Sequence, residues 1–321
     1  MTIHKLEPLG KIRNSIWNIL FFRWFKDAKT MQTIRTRDII PVDLNSVLCA
    51  VEYSLSFLLK DAVKDSSLSS AFLTKAKKRH NAINDVFWDP KKSVWSDYVI
   101  SEAKLNENFY ASSFFPLWID NFDYTGASLH KNSTRKNSAF RAFSDDFSLF
   151  SYPGGLPASL IDSGQQWDFP NAWAPLQHVA VHGLDSNKRR SVTSTALQRA
   201  GKDLARKFLE NAYVAWSQTG YMFEKYNVKH LGKKGHGGEY LTQTGFGWTN
   251  GVALDFLHKY GDSLESPKPG GGNTTSSSRS IFHRISPYPR PGTNLLYLLC
   301  FILPNALMVY LFCYSWRWAL S

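Results

Sequence analysis

From Asp43 to about Tyr260 the chain alternates between amphipathic runs of helical period and long loops rich in Gly, Pro, Ser, Asn and aromatic residues. Leu48, Val51, Leu55 and Leu58 recur at steps of three and four residues, which places them on one face of a helix that Asp43 is positioned to cap. Ser70 to Phe87 repeats the pattern with a basic outer face. Further helices are expected through Trp173, Leu176, Val179 and Val181, and from Ser191 to Tyr213 with Leu197, Leu204, Phe208 and Leu209 on one side. A last short one runs from Gly251 to Tyr260, stopped by Gly261. Helices with one apolar stripe must cover it with one another. The fold class is therefore all-α, and helix pairs joined by long decorated loops suit an α/α barrel whose loops build a site at one end.

The charge admits a nucleic-acid reading only at first sight. The net charge of +12 is high, but the basic residues fall in short clusters, Lys75 to Arg79, Lys188 to Arg190 and Lys233-Lys234, with no long tract interleaved with aromatics. They read as solvated faces, and no nucleic-acid partner is expected. Of three cysteines, Cys300 and Cys313 lie in an apolar tail, and Cys49 sits in a helical pattern as a small core residue. No disulfide framework or metal-ligand cluster is legible, so no metal is expected.

The densest chemistry lies in Gln165-Gln166-Trp167-Asp168-Phe169-Pro170-Asn171-Ala172-Trp173-Ala174-Pro175. Prolines interrupt regular helix here. Tryptophan faces stack on the C–H faces of a sugar, and Asp and Asn side chains take its hydroxyls. This run resembles a signature of trehalases, the inverting glycoside hydrolases of α,α-trehalose. Pro153 to Pro157 precedes it as in that family, and Phe223-Glu224-Lys225-Tyr226, Gly237 to Tyr240 and Gly245 to Gly251 follow. Upstream, Ile34 to Thr36, Ile40 to Asn45, Trp95 to Tyr98 and Phe115 to Trp118 match as well. The similarity covers about residues 23 to 263. It implies the C-terminal portion of an (α/α)6 barrel, and trehalose as substrate with no cofactor.

Glycoside hydrolysis with inversion needs one carboxylic acid and one carboxylate base, roughly 6.5–9.5 Å apart so that a water fits between. The resemblance makes Glu224 the general base, and Tyr221, Phe223 and Tyr226 are expected around it. It makes Glu239 a substrate-binding residue in the loop Gly235 to Gly238, where glycine lets backbone approach a ligand. Phe246 and Trp248 are assigned to the sugar platform or the wall beneath it, and Trp167 and Asp168 to the side of the leaving glucose. The family's acid lies in a Gly-Trp-Asp-Phe-Ser-Ser-Arg-Trp-Phe segment. Alignment on Arg23-Trp24-Phe25 puts Ile19 at the aspartate, and isoleucine cannot donate a proton. Asp43, Asp97 and Asp168 are not promoted in its place. A truncated or inactive relative is the alternative reading.

The ends of the chain differ from the middle. Residues 1–22 match neither the family nor a signal peptide. Residues 264–294 read as a Gly/Ser/Pro-rich stalk. Leu295 to Tyr314 is an almost wholly apolar run of 20 residues, expected to anchor the chain at the cell surface as a transmembrane helix or a GPI signal. Asn132-Ser133-Thr134 and Asn273-Thr274-Thr275 are glycosylation sequons.

Overall fold

A computed structural model describes residues 26, 33–120, 133–185, 195–238 and 240–265. Residues 1–22, residues 266–294 of the stalk, the apolar run 295–314, Glu239, the sequon asparagines and Lys188 to Arg190 lie outside the described residues.

Helices dominate. In chain order come β1 (Ile39–Ile40), α1 (Val42–Leu58), α2 (Ser66–Val86) and four further two-residue strands. These are β2 (Trp88–Asp89), β3 (Val94–Trp95), β4 (Tyr98–Val99) and β5 (Lys104–Leu105). Then follow α3 (Phe115–Ile119), α4 (Ser133–Arg141), β6 (Asn171–Trp173), α5 (Ala174–Leu184), α6 (Ala196–Thr219), β7 (Lys225–Asn227) and α7 (Gly247–Tyr260). The all-α expectation thus holds for the bulk of the chain, with short antiparallel ladders added in the loops: β1-β4-β5, β2-β3 and β6-β7.

The helices form a packed series. α1 lies against α2 and α3, and α5 lies against α3 and α6. Val42–Val63, α1 with the π-helical turn after it, is long and apolar enough to cross a bilayer. Half of that window is buried within the protein, but the expected apolar face is not: Val51 and Leu55 are exposed, and α1 buries Cys49, Ala50 and Tyr53 instead. Cys49 is fully buried, and its thiol donates to the Ala76 carbonyl across the α1–α2 contact.

Two local expectations are corrected. Asp43 does not cap α1: it sits inside the first turn, where its Oδ1 accepts from the Leu44 N–H. The Val42 N–H is capped by Asp97 Oδ1 at 2.9 Å, from 55 residues away. The basic cluster on α2 is not wholly solvated either. Arg79 grips Glu52 of α1 through Nε and a terminal nitrogen, and donates also to Asn45. α2 begins earlier than its apolar pattern, because Asp65 caps it by accepting from Leu68 N–H. In α6 a complete capping box, Thr195 with Gln198, sets the start, and Gly220 in the left-handed region (φ 75°) ends it.

Side-chain clamps hold the loop before the tryptophan-rich run. Gln177 of α5 accepts from Leu156 N–H and donates to Leu156 C=O, each at 2.7 Å. Asn211 of α6 donates to the carbonyls of Gly154 and Asn227. The chain clusters into two compact units that divide after Leu257. In the second, the described part holds the end of α7 and one 3-10 turn, Gly261–Ser263.

Candidate active site

Glu224 and the run 165–175 are far apart in sequence and are joined by the β6–β7 ladder. Asn171 pairs with Asn227, Ala172 with Tyr226 and Trp173 with Lys225. On its other side the Glu224 N–H donates to the Gln243 carbonyl, and Phe223 bridges to Thr244. The glutamate is therefore held at a bend directly before β7, between two motif segments. It is not at a helix end.

Its surroundings are dry. Glu224 is 3% exposed and Lys225 is fully buried. Glu224 Oε1 accepts from the Tyr240 hydroxyl at 3.0 Å. Oε2 has Lys225 Nζ at 3.7 Å, and among the described residues it has no hydrogen-bond donor. Lys225 Nζ donates to Gln166 Oε1 and lies 4.9 Å from the Trp173 ring centre and 5.0 Å from that of Tyr240. Lys229 faces the Phe169 ring and does not pair with Glu224.

Burial raises the Glu224 carboxyl above the usual glutamate range, against the opposing pull of the Lys225 charge and the Tyr240 hydrogen bond. Burial lowers the Lys225 ammonium, which the glutamate partly offsets. The Tyr240 phenol is raised by burial and then by the neighbouring carboxylate, so it stays a donor. A desolvated carboxylate with one oxygen that accepts no hydrogen bond can accept a proton from water.

Tryptophans pack around the segment that carries this residue. Trp167 stacks parallel on the fully buried Trp173 at 3.7 Å between ring centres. Trp248 meets Trp173 edge-on at 5.6 Å, and its Nε1 donates to the Glu224 carbonyl oxygen at 3.0 Å. Phe246 packs on Trp248 at 4.4 Å. Thr249 Oγ1 donates to the Phe223 carbonyl, so the start of α7 clasps the segment that carries the glutamate.

Asp168 is used inside its own loop. Ser159 and Ser163 hydroxyls donate to its two oxygens at 2.6 and 2.5 Å. Its carboxyl is raised by burial against those two bonds. Asn171 ties three segments together: its Nδ2 donates to the carbonyls of Asp168 and His236, and its Oδ1 accepts from His236 N–H. The glycine loop approaches protein closely. A Cβ on Gly235 would lie 2.5 Å from Asn171 Oδ1, and one on Gly237 (φ +86°) would collide with the Gly164 carbonyl. Glycine is needed there for loop-on-loop contact with the tryptophan-rich run.

The structure thus gathers Glu224, Trp167, Phe246 and Trp248. It gives Asp168 a loop-holding set of partners, and Glu239 and Ile19 fall outside the described residues. Tyr221, expected beside Glu224, is 56% exposed, and the hydroxyl that reaches the carboxylate is Tyr240. Tyr240, Lys225, Gln166 and Trp173 join the site without a signal of their own in the sequence beyond lying in its motifs.

Comparison with known proteins follows the same residues. The family model described as Trehalase matches residues 11–261. The chain is 39% identical over 251 residues to a probable trehalase of Oryza sativa subsp. japonica, covering 74% of this chain and 43% of that one. It is 35% identical over 285 residues to a trehalase of Homo sapiens, covering 88% and 44%. The neutral trehalase of Saccharomyces cerevisiae shares the fold, with a TM-score of 0.54 at 23% identity over 79% of this chain and 45% of that one. The chain spans less than half the length of these relatives.

Proposed function

The chain belongs to the trehalase family, and from that premise we propose that it carries the base side of an inverting glycosidase that hydrolyses α,α-trehalose to glucose. The observation that carries the reading is Glu224: a buried carboxylate with one oxygen that accepts no hydrogen bond among the described residues and faces Lys225, inside the family's Phe-Glu-Lys-Tyr motif, with Trp248 bonded to its backbone carbonyl. The packed series of helices α2, α1, α3, α5 and α6 supports taking residues 23–263 as the C-terminal portion of an (α/α)6 toroid.

In the proposed reaction Glu224 removes a proton from water as its oxygen attacks one anomeric carbon. The glycosidic bond breaks, and an acid on the opposite face protonates the departing oxygen. One glucose leaves inverted, the other as the leaving group. Trp167, Phe246 and Trp248 supply aromatic surface for the sugars, with Glu239 on a hydroxyl. Tyr240 holds the base by one oxygen, which aims the other. Residues 264–294 are proposed as a stalk, and the apolar run 295–314 as a transmembrane helix or GPI signal that places the protein at the cell surface.

A second reading rests on Ile19. It stands where the family's acid is aligned, and a missing general acid costs about 10²–10⁴-fold in rate. On that reading the chain is a trehalase-like isoform without activity. The test is glucose release from trehalose by the full chain, beside Glu224→Gln. Activity lost in the variant supports the hydrolase and requires another carboxyl as acid. A folded chain that releases no glucose while still binding trehalose supports the inactive isoform. Equal activity in both proteins would remove Glu224 from the mechanism.

A further inference from the structure

We propose that His178, His182 and Asp255 form a binding site for a divalent transition-metal cation of the zinc class, clasping α5 to α7. His178 and His182 stand four residues apart on α5, so their imidazoles project from one face. Their ring centres are 4.2 Å apart. Asp255 reaches them from α7: its Oδ2 lies 2.7 Å from His182 Nε2 and 3.4 Å from His178 Nε2. All three ligand atoms lie within 4.8 Å of one another.

The donor set and its dimensions suit that class of ion. Two imidazoles and a carboxylate favour zinc and its neighbours over calcium or magnesium, which prefer all-oxygen sites. A tetrahedral ion with arms of about 2.05 Å separates its ligands by about 3.3 Å. The His178–Asp255 distance already matches this, and His182 needs to retreat by roughly half an ångström. The three side chains are 21–24% exposed, so the cluster is partly open to solvent and a water can serve as fourth ligand. Phe256, fully buried, lies flat behind His178 at 6.2 Å and gives the site an apolar floor.

The site's place in the fold sets its effect. α5 starts directly after Trp173, and α7 carries Trp248 two turns before Asp255. An ion here fixes α5, which follows Trp173, to α7, whose first turn holds Trp248, and so bears on the tryptophan contact beside Glu224. The cluster itself is separate from that carboxylate and takes no part in the proposed hydrolysis.

The experiment is titration of the full, chelator-treated chain with Co²⁺ and Zn²⁺. One equivalent of Co²⁺ should bind, giving the visible bands of a low-coordinate nitrogen–oxygen site, and Zn²⁺ should displace it. Asp255→Asn and His178→Gln should each weaken binding at least about tenfold. A folded variant that binds as tightly as the parent overturns the proposal, as does a folded parent that takes up no ion. Should the variants not fold, chemical footprinting of the parent decides. Zn²⁺ that shields both His178 and His182 from diethylpyrocarbonate supports the site, and unchanged modification of the pair refutes it.

Discussion

Glu224 and Lys225 oppose each other's charge in a place that water scarcely reaches. Burial disfavours both ions, and each restores part of the other's charge. Because the glutamate ends above its usual range, it becomes a working base only at a higher pH than an exposed glutamate does. Lys225 pulls that midpoint down, so Lys225→Met should move it up, and Tyr240→Phe should do the same by removing a hydrogen bond to the ionised form. Carboxyl ¹³C titration of Glu224 checks both shifts without requiring turnover; a downward shift in either variant would contradict the assigned electrostatics. The motif identified this glutamate because its neighbours are unusual residues in a fixed order. It did not reveal that Tyr240 holds the carboxylate, since that contact depends on how a glycine loop folds over the 165–175 run.

The helices were legible where an apolar stripe recurs at helical spacing, and their ends were legible only where the cap is local. Thr195 and Gln198 satisfy each other within one turn, so α6 announces its own start. Thr195→Ala should cost about 1 kcal/mol in urea unfolding. α1 offers the contrast: its cap is Asp97, buried at 2% exposure and brought in by the β1–β4 pairing. Asp97→Ala leaves a buried N–H without a partner and should cost more than the Thr195 change, about 2–3 kcal/mol. Gln177→Leu tests the loop clamp in the same assay. It strips both bonds from Leu156, and a loss below that of Thr195→Ala would show that the clamp is not structural. Strands of two or three residues escaped the sequence reading because no two-residue period can be heard in so short a segment.

At the scale of the molecule, Phe208 is among the residues that join the helices to the site. Phe208 of α6 is fully buried and meets Tyr226 of β7 and Phe256 of α7 edge-on, at 5.9 and 6.0 Å. Phe208→Ala opens a cavity between three elements and should cost about 3–5 kcal/mol. Differential scanning calorimetry checks this, and a near-neutral result would mean that the elements are held by other contacts. The positive net charge is spread over the surface and also enters the core as the buried Lys225 and the half-buried Arg79. Exposure of Leu241 (80%) and Leu254 (69%) leaves apolar surface uncovered near the site and on α7.

Sequence alone determined the helical class, the family and the identity of the candidate base, because each rests on local pattern or on residue order. Tertiary structure alone decided which residues touch Glu224, that Asp168 serves its own loop, that the glycine loop packs on protein, and that Asp97 caps α1. It also joined Asp255 to His178 and His182. The sequence reading passed over those histidines, because their partner Asp255 lies 73 residues beyond His182 and only helix packing brings it near. Contacts between distant segments arise from strand register and helix packing, and neither is encoded in the spacing of a single segment.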